Sequence, residues 1–433
     1  MDGTVQEVSV CIDEGKIVEV RRIPPGLSEA GEVHRISKGF ILPGAIDTHV
    51  HMRDPGLTRK EDLRTGTVSA AFGGVTTVLD MPNTIPPTCD RRSLDDKDSI
   101  ARERTYIDFG LYLAVDSAMG PEKAASYFLG KEKVRPVGMK AFLGETTGSH
   151  PFGPIEDLSR FGPMISGAGI PLAAHSEDGA MFGRTSPPDK DKGVLAWHDS
   201  VRSSAAEASA ISRAVAALGH HSRSFHVLHV SSAEGLEAAR DSGATLEATP
   251  HHLLLDIRWG ERNLEREALC KVNPPLRNTT DRAALWAALA DGRITTLGSD
   301  HAPHLLSEKE DAGRAPSGVP GVETLVPLML AKVVERKLGI ERLIELVCTN
   351  PARRFGLAAK GSIFAGKDAD LAVFDPAEMR KVRGEDLHSK CGWTPYEGFD
   401  GCFPTRVYSR GELIVEGHEQ CAGGGRGRNV MPS

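Results

Sequence analysis

The sequence lacks any apolar run long enough to cross a membrane. Spanning a bilayer takes ~20 consecutive apolar residues, and no stretch of the 433-residue chain approaches that length. The N-terminal residues are acidic and do not show the basic-then-apolar pattern of a secretion signal. We therefore expect a cytoplasmic protein that does not interact with membranes.

Cysteine pairs and basic runs are also missing. The seven cysteines are scattered and none forms a C-x-x-C pair, which argues against a disulfide framework and against a thiolate zinc site. The formal net charge is −7 and no basic run exceeds a few residues, so nucleic acid is not an expected partner. An anionic substrate would need local cationic groups, because the overall field would not attract it.

The middle of the chain contains eight short apolar, β-branched runs that alternate with helical segments. Near-continuous apolar strands separated by helices indicate a parallel sheet buried on both faces. Eight such units over roughly 310 residues predict an α/β fold of the (β/α)8 TIM-barrel type. The predicted strands are 45–51, 75–80, 108–115, 137–142, 170–175, 226–230, 245–249 and 294–299, and predicted helices include 200–218, 233–240 and 280–290.

The two flanks of the barrel show a different pattern. They carry short alternating strands at 5–12, 16–21, 361–364, 371–374, 405–409 and 412–416. Neither flank could bury a sheet face alone, so we expect both chain ends to pair as one small flanking β domain. The predicted organisation is a barrel over 47–356, a β domain from 1–46 plus 357–420, and a glycine-rich disordered tail over 421–433.

Functional side chains of such a barrel lie at the C-terminal ends of its strands. Strand 1 ends in an H-x-H pair whose alternating side chains point the same way and can reach one ion. Any single histidine at a strand end is more often a hydrogen-bonded rim residue than a ligand. Five candidates on one rim together predict a metal site: His49, His51, His175, His229 and Asp300.

Lys140, at the end of the fourth strand, occupies an unusual position for a lysine. One interpretation is a snorkelling or salt-bridged side chain. The other is a lysine that reacts with CO2 to form a carbamate, an anionic ligand able to bridge two cations, because burial beside cations favours the neutral amine.

The order of the motifs resembles the dihydroorotases of the amidohydrolase superfamily, and the match runs from about residue 39 to 375. The motifs are His49-x-His51-x-Arg53-Asp-Pro-Gly, Met81-Pro82-Asn83-Thr84, Gly138-Met139-Lys140, His175-Ser-Glu-Asp, His229-Val-Ser-Ser, Asn273-Pro-Pro-Leu-Arg, Ser299-Asp300-His301-Ala-Pro-His304 and Gly361…Gly366-Lys-Asp-Ala-Asp-Leu. The resemblance implies zinc-dependent, reversible cyclisation of N-carbamoyl-L-aspartate to L-dihydroorotate in pyrimidine biosynthesis.

The resemblance also implies two zinc ions per subunit. His49, His51 and Asp300 would hold one ion, His175 and His229 the other, and carboxylated Lys140 would bridge them. Some close relatives use an aspartate as the bridge instead. Asp300 would also move the proton during catalysis.

The substrate of this family carries a carboxylate, and the resemblance assigns residues to it. Arg53 follows His51 by two residues and could pair with the carboxylate through two donors; the alternative is an ion pair with Asp54 or Glu61. For the other residues expected to contact the substrate through their side chains, the alternative is a simple role in loop or turn structure. The implied substrate-binding residues are Arg53, Asn83, Asn273, His304, Ser317 and Gly318, the last two through their backbone.

Two other functions compete with this interpretation. A hydantoinase or allantoinase would share the barrel and the H-x-H motif, but its ring lacks the carboxylate that Arg53 and His304 are expected to hold. An inactive barrel that serves as a structural partner of aspartate transcarbamoylase would be expected to lose metal ligands, and all six positions are filled. The resemblance leaves open a homodimer and an association with aspartate transcarbamoylase.

Overall fold

The computed structural model describes residues 7–22, 31–129, 132–148, 150–186, 193–262, 264–311 and 313–432. In chain order its strands are β1 Ser9–Asp13, β2 Lys16–Arg21, β3 Phe40–Pro43, β4 Ala45–Val50, β5 Val75–Asp80, β6 Asp108–Ala114, β7 Gly138–Phe142, β8 Leu172–His175, β9 Phe225–Val227, β10 Thr245–Ala248, β11 Ile294–Leu297, β12 Leu371–Phe374, β13 Arg380–Lys381, β14 Asp400–Gly401, β15 Pro404–Ser409, β16 Glu412–Glu416 and β17 Glu419–Gln420.

Strands β4 to β11 form one parallel sheet in which each strand pairs with the next along the chain. Strands such as β4, β5 and β7 are buried at every position, as expected for a sheet covered on both faces. The ends of the sheet approach each other beyond β11, where the His51 amide donates to the His301 carbonyl at 2.7 Å. The predicted (β/α)8 barrel is confirmed.

The helices cover the outside of the barrel, and several of them begin at a side-chain cap. Asp62, Asp90, Ser203 and Asn278 each accept a backbone N–H of the first helical turn. The helices are α1 Leu63–Phe72, α2 Arg91–Arg104, α3 Pro121–Leu129, α4 Gly162–Gly167, α5 Val194–Val201, α6 Ser204–Leu218, α7 Ala233–Ala238, α8 Pro250–Leu254, α9 Ile257–Arg262, α10 Thr279–Ala290, α11 Leu325–Val334, α12 Ile340–Ile344 and α13 Asn350–Arg354.

Shorter helical turns connect these elements. The 3-10 turns are Ile155–Arg160, Gly179–Met181, Gly219–Ser224, Leu264–Cys270, Leu306–Lys309, Pro376–Glu378 and Gly384–Asp386, and Glu345–Thr349 is a π turn. The predicted helix 200–218 is two helices, because Ser203 leaves helical geometry and caps α6 through the Ala206 amide. Within the described ranges, no helix is long and apolar enough to cross a membrane.

The flanking β domain is built from both ends of the chain, as predicted. Its five-stranded antiparallel sheet has the order β17-β16-β15-β12-β3, so β3 from the N-terminal side pairs with β12 from the C-terminal side. The predicted strand over 361–364 is absent, since these residues form bends. Lys360 ties this domain to the barrel, with its amine 2.5 Å from Asp108 at the start of β6 and 2.6 Å from Asp370 beside β12.

The C-terminal segment is ordered where the structure describes it, so the predicted disorder over 421–433 is wrong for 421–432. The Gly425 amide donates to the Thr105 carbonyl at 3.0 Å, and the Val430 amide donates to the Phe109 carbonyl at 2.7 Å. A side chain at Gly427 would lie 2.2 Å from the Ile107 carbonyl oxygen. The glycines that indicated disorder therefore allow the segment to approach the barrel wall closely.

Candidate metal centre and substrate pocket

A cluster of His49, His51 and Asp300 lies at the C-terminal rim of the barrel. His49 is in β4, His51 lies just beyond it, and Asp300 follows β11. The Oδ1 atom of Asp300 is 3.3 Å from His49 Nε2 and 3.1 Å from His51 Nε2. The other ring nitrogens are used: His49 Nδ1 donates to Glu247 at 2.8 Å, and His51 Nδ1 donates to Asn83 at 2.6 Å. Both Nε2 atoms are therefore left as lone-pair donors that point at one place.

A second pair of imidazoles lies beside this cluster. His175 ends β8 and His229 follows β9, and His175 Nδ1 is 3.1 Å from His229 Nε2. Nε2 of His175 donates to Glu177 at 2.7 Å, which leaves Nδ1 as the atom directed at the pocket. Among the described atoms, Nδ1 of His229 has no hydrogen-bond partner. The rings of His49 and His229 are 5.2 Å apart, so the two groups are neighbours.

The donor set fits divalent cations of the zinc type. Two ligands ~2.0 Å from one tetrahedral ion are separated by about 3.3 Å, close to the spacings seen within each group. Burial lowers the pKa of His51 to about 3, and it also lowers the pKa of His175 and His229. These three imidazoles are therefore neutral at physiological pH, the form that binds a metal.

Lys140 lies inside β7 and lines the same pocket as the histidines. Its side chain is buried, and its amine is 4.7 Å from the centre of the Phe142 ring. Burial lowers the pKa of Lys140 to about 7, although Asp300 and Glu247 oppose the shift. No ion pair of Lys140 with a carboxylate occurs among the described residues, so the salt-bridged alternative is not what the structure shows.

Three of the site residues adopt left-handed backbone conformations. Arg53 has φ 60°, His229 has φ 38° and Asp300 has φ 45°. Such angles are uncommon for residues with a side chain and cluster at functional sites. Each of the three lies just beyond a strand end, where this backbone turns its side chain out of the strand pleat and into the pocket.

Arg53 forms one wall of the pocket beside the candidate metal ligands, and His304 lies next to it. Both are buried, and Arg53 Nη2 is 3.3 Å from His304 Nε2. The predicted alternative of an ion pair with Asp54 is not observed, because Asp54 binds Arg104 at 2.9 Å. Burial lowers the pKa of Arg53 only to about 10, so the guanidinium stays charged. Within the described part of the chain no carboxylate contacts Arg53, and a buried cation of this kind is suited to bind an anionic ligand.

The predicted amide contacts lie in the same pocket, but the protein already occupies their polar atoms. Besides accepting from His51, the amide of Asn83 donates to the Thr147 carbonyl at 3.2 Å. Asn273 accepts from His198 at 2.8 Å and donates to the Thr146 hydroxyl at 2.9 Å. The loop that follows β7 thus contacts both asparagines.

Ser317 and Gly318 lie opposite this loop. The Thr147 hydroxyl donates to the Ser317 carbonyl at 3.3 Å, and the Gly318 amide donates to the Lys271 carbonyl at 2.9 Å. A side chain at Gly318 would lie 3.0 Å from His304 Nε2. All predicted site residues except His304 therefore line one pocket, and His304 contacts two of them, Arg53 and Ser317. Sequence alone did not indicate that Thr146 and Thr147 would also line it.

Three further residues that the sequence analysis missed support the site. Glu247 accepts from His49 and from Thr48, and Glu177 accepts from His175. Burial opposes the ionisation of Glu177, but Arg202 and His175 hold its pKa below the ordinary value. The only sequence signal for Glu247 was an acidic residue inside the apolar run of β10. Carboxylates behind metal-binding histidines fix the tautomer and the ring orientation.

Trp393 is the third of these residues, and it comes from the C-terminal flank. Its indole N–H donates to the His304 carbonyl at 2.8 Å. Nearby, Ser389 donates to Glu61 at 2.5 Å and Lys390 donates to the Thr58 carbonyl at 2.7 Å. The segment around residues 389–393 therefore packs against the loop after β4 and the loop after β11, behind the wall that holds Arg53.

Comparisons with known proteins agree with this geometry. A family model described as "Amidohydrolase family" matches residues 200–413, and one described as "Dihydro-orotase-like" matches residues 38–124. The chain is 40% identical over 390 residues to a dihydroorotase of Halobacterium salinarum, covering 89% of each chain. It is 39% identical to a dihydroorotase of Methanosarcina mazei, covering 99% of this chain and 94% of that protein.

Solved structures extend the likeness to the whole fold. The L-hydantoinase of Arthrobacter aurescens matches with a TM-score of 0.84 at 27% identity, covering 98% of this chain and 96% of that one. The dihydropyrimidinase of Brevibacillus agri matches with a TM-score of 0.86 at 26% identity, covering 98% and 95%. Barrel, rim ligands and matches together define the class as an amidohydrolase, a hydrolase that acts on cyclic amides. Within that class, the chain belongs to the dihydroorotase family.

Proposed function

We propose that this chain catalyses the reversible, metal-dependent cyclisation of N-carbamoyl-L-aspartate to L-dihydroorotate. The observation that carries the proposal is the position of Arg53 on the pocket wall next to the candidate ligand cluster, as a buried cation that no carboxylate of the described residues contacts. The full-length likeness to dihydroorotases supports the same reaction. An enclosed pocket of this kind takes a small-molecule substrate.

The proposed cofactor is a pair of zinc ions. His49, His51 and Asp300 would hold one, and His175 and His229 the other. When bound, such ions lower the pKa of water and polarise a carbonyl group. Lys140 would supply the bridging anion as a carbamate, which its burial and its neutral amine near pH 7 support.

Arg53 would orient the substrate by pairing with the carboxylate that stays outside the new ring. A guanidinium binds a carboxylate through two parallel hydrogen bonds, which fixes the direction of the ligand as well as its position. Asn83, Asn273 and the backbone at 317–318 would contact the same ligand once it displaces their present contacts with Thr146 and Thr147. The reacting carbonyl would then lie over the ligand cluster.

Asp300 would move the proton. Its Oδ1 faces the pocket between two imidazoles, and although burial opposes ionisation, the neighbouring histidines hold its pKa well below the ordinary value. In ring closure Asp300 would accept a proton from the attacking ureido nitrogen and pass it to the departing carboxyl oxygen, which takes a second proton from solvent and leaves as water. In hydrolysis it returns the proton to the departing ring nitrogen. Cyclisation consumes one proton overall, because the open-chain reactant has one more carboxylate.

A hydantoinase-type activity is the second candidate, since the fold neighbours include hydantoinases. The two are separated by measuring metal content together with turnover of dihydroorotate, hydantoin and allantoin. We expect close to two zinc ions per chain and a strong preference for dihydroorotate. A fully active metal-free protein, or a preference for the uncharged rings, would contradict the proposal.

A further inference from the structure

Arg53 and His304 are the side chains expected to hold the substrate carboxylate. Arg53 can only donate hydrogen bonds, whereas each ring nitrogen of His304 can be either a donor or an acceptor. The ring is fully buried. Its Nε2 atom faces Arg53 at 3.3 Å and the Ser317 carbonyl at 3.2 Å, and its Nδ1 atom faces the Lys60 amine at 2.9 Å. Which nitrogen carries the proton decides whether this wall attracts or repels a carboxylate.

The contacts of Lys60 decide the tautomer. An ammonium group has three donors and no acceptor, so Nδ1 of His304 must be the unprotonated nitrogen at this short distance. Glu308 lies 3.1 Å from the same amine, and its charge favours the ammonium form, although burial lowers the pKa of Lys60. Arg53 also offers only donors, but its contact with His304 is longer, and the Ser317 carbonyl beside it can only accept. The proton of the neutral ring therefore belongs on Nε2.

We propose that Lys60 is a positioning residue that fixes His304 as its Nε2–H tautomer, so that His304 and Arg53 offer their donors together to the carboxylate of the substrate. This inference rests on the proposed function for the identity of the anion. Arg53 Nη2 and His304 Nε2–H are then two donors 3.3 Å apart, and a carboxylate beside them would accept from both, sharing Nε2–H with the Ser317 carbonyl at 3.2 Å. Lys60 does not need to touch the substrate.

The neighbouring residue gives a matched control. Arg59 also binds Glu308, at 2.7 Å, but its side chain is largely exposed and makes no contact with His304 among the described residues. Arg59→Met therefore removes one positive charge from the same carboxylate and leaves the His304 contact in place. Lys60→Met removes the charge and the donor, whereas Lys60→Arg keeps both.

The first measurement is kinetic. For Lys60→Met we expect the KM for dihydroorotate to rise about tenfold or more, with a smaller change in kcat, because the His304 lone pair can then face the carboxylate. Arg59→Met should change the KM less than threefold, and Lys60→Arg should restore most of the wild-type value. Equal effects of Lys60→Met and Arg59→Met would show that Lys60 acts through charge alone and would overturn the proposal.

The second measurement does not depend on activity. In zinc-loaded protein with 15N-labelled histidine, and with the His304 signals assigned by their loss in His304→Gln, Nε2 should give a pyrrole-type signal and Nδ1 a pyridine-type signal. Lys60→Met should mix or reverse the two, and Arg59→Met should not. An unchanged tautomer in Lys60→Met overturns the proposal even if the protein turns over no dihydroorotate, and a changed tautomer without a change in KM overturns the link to the substrate.

Discussion

Removing carbon dioxide is expected to prevent the metal-free protein from recovering its activity when zinc is returned, because a carbamate on Lys140 requires both CO2 and a neutral amine. Burial lowers the pKa of this amine from 10.5 to about 7. At pH 7 about half of such amines are neutral, against ~0.03% for a lysine at its ordinary pKa. The fraction of Lys140 in the neutral form that can react with CO2 is thus increased on the order of 1,000-fold. This increase makes spontaneous carbamate formation practical.

The assay strips the metal with a chelator, removes CO2, and follows zinc uptake and dihydroorotate turnover after zinc is added with or without bicarbonate. At fixed dissolved CO2, lowering the pH from 8 to 6 should slow recovery ~10-fold for a pKa near 7, whereas an amine of ordinary pKa would give ~100-fold. Lys140→Arg is the control and should show no effect of bicarbonate, since guanidinium does not form the carbamate. Equal recovery with and without CO2 would refute the carbamate.

Five other changes test separate parts of the site and the fold. His49→Ala and His175→Ala should each abolish turnover and reduce bound zinc while the far-ultraviolet circular dichroism stays that of the folded barrel; retained zinc would remove them as ligands. Arg53→Met should remove a charge-assisted pair worth ~2–5 kcal/mol, which lowers kcat/KM for dihydroorotate by roughly 30-fold or more. Turnover of hydantoin should show no matching loss, and equal losses on both substrates would assign Arg53 to structure. Glu247→Gln should weaken zinc binding ~10–100-fold in competition with a chelator, and an unchanged affinity would contradict its role behind His49. Deletion of 421–433 should lower the melting temperature by about 2–5 °C with the KM unchanged, and an unchanged melting temperature would mean that the segment adds no stability.

The barrel, and the gathering of the candidate metal ligands at its rim, could be predicted because both follow from local patterns. A parallel strand buried on two faces leaves an apolar run in the sequence, and candidate ligands appear as polar residues where that run ends, as His175 does at the end of β8. The H-x-H spacing of His49 and His51 follows from the two-residue period of a strand.

The supporting residues could not be predicted because their roles depend on contacts between distant parts of the chain. Glu247 is 198 residues from His49 in sequence, and Trp393 is 89 residues from His304. Composition was misleading for the C-terminal segment, where Gly427 permits a close approach to Ile107 rather than freedom of the chain. A glycine-rich stretch has the same composition whether its glycines leave the chain flexible or allow it to pack closely against a neighbour.

The hydrogen bond from Trp393 to the His304 carbonyl has a consequence for the order in which the site is completed during synthesis. A ribosome that has made residue 356 has already produced every proposed metal ligand and the whole barrel. The segment that supports the Arg53 and His304 wall is still untranslated at that point, as is β12, the partner of β3. A nascent chain of that length could bind metal before it could select a carboxylate-bearing ring, so substrate discrimination is acquired last.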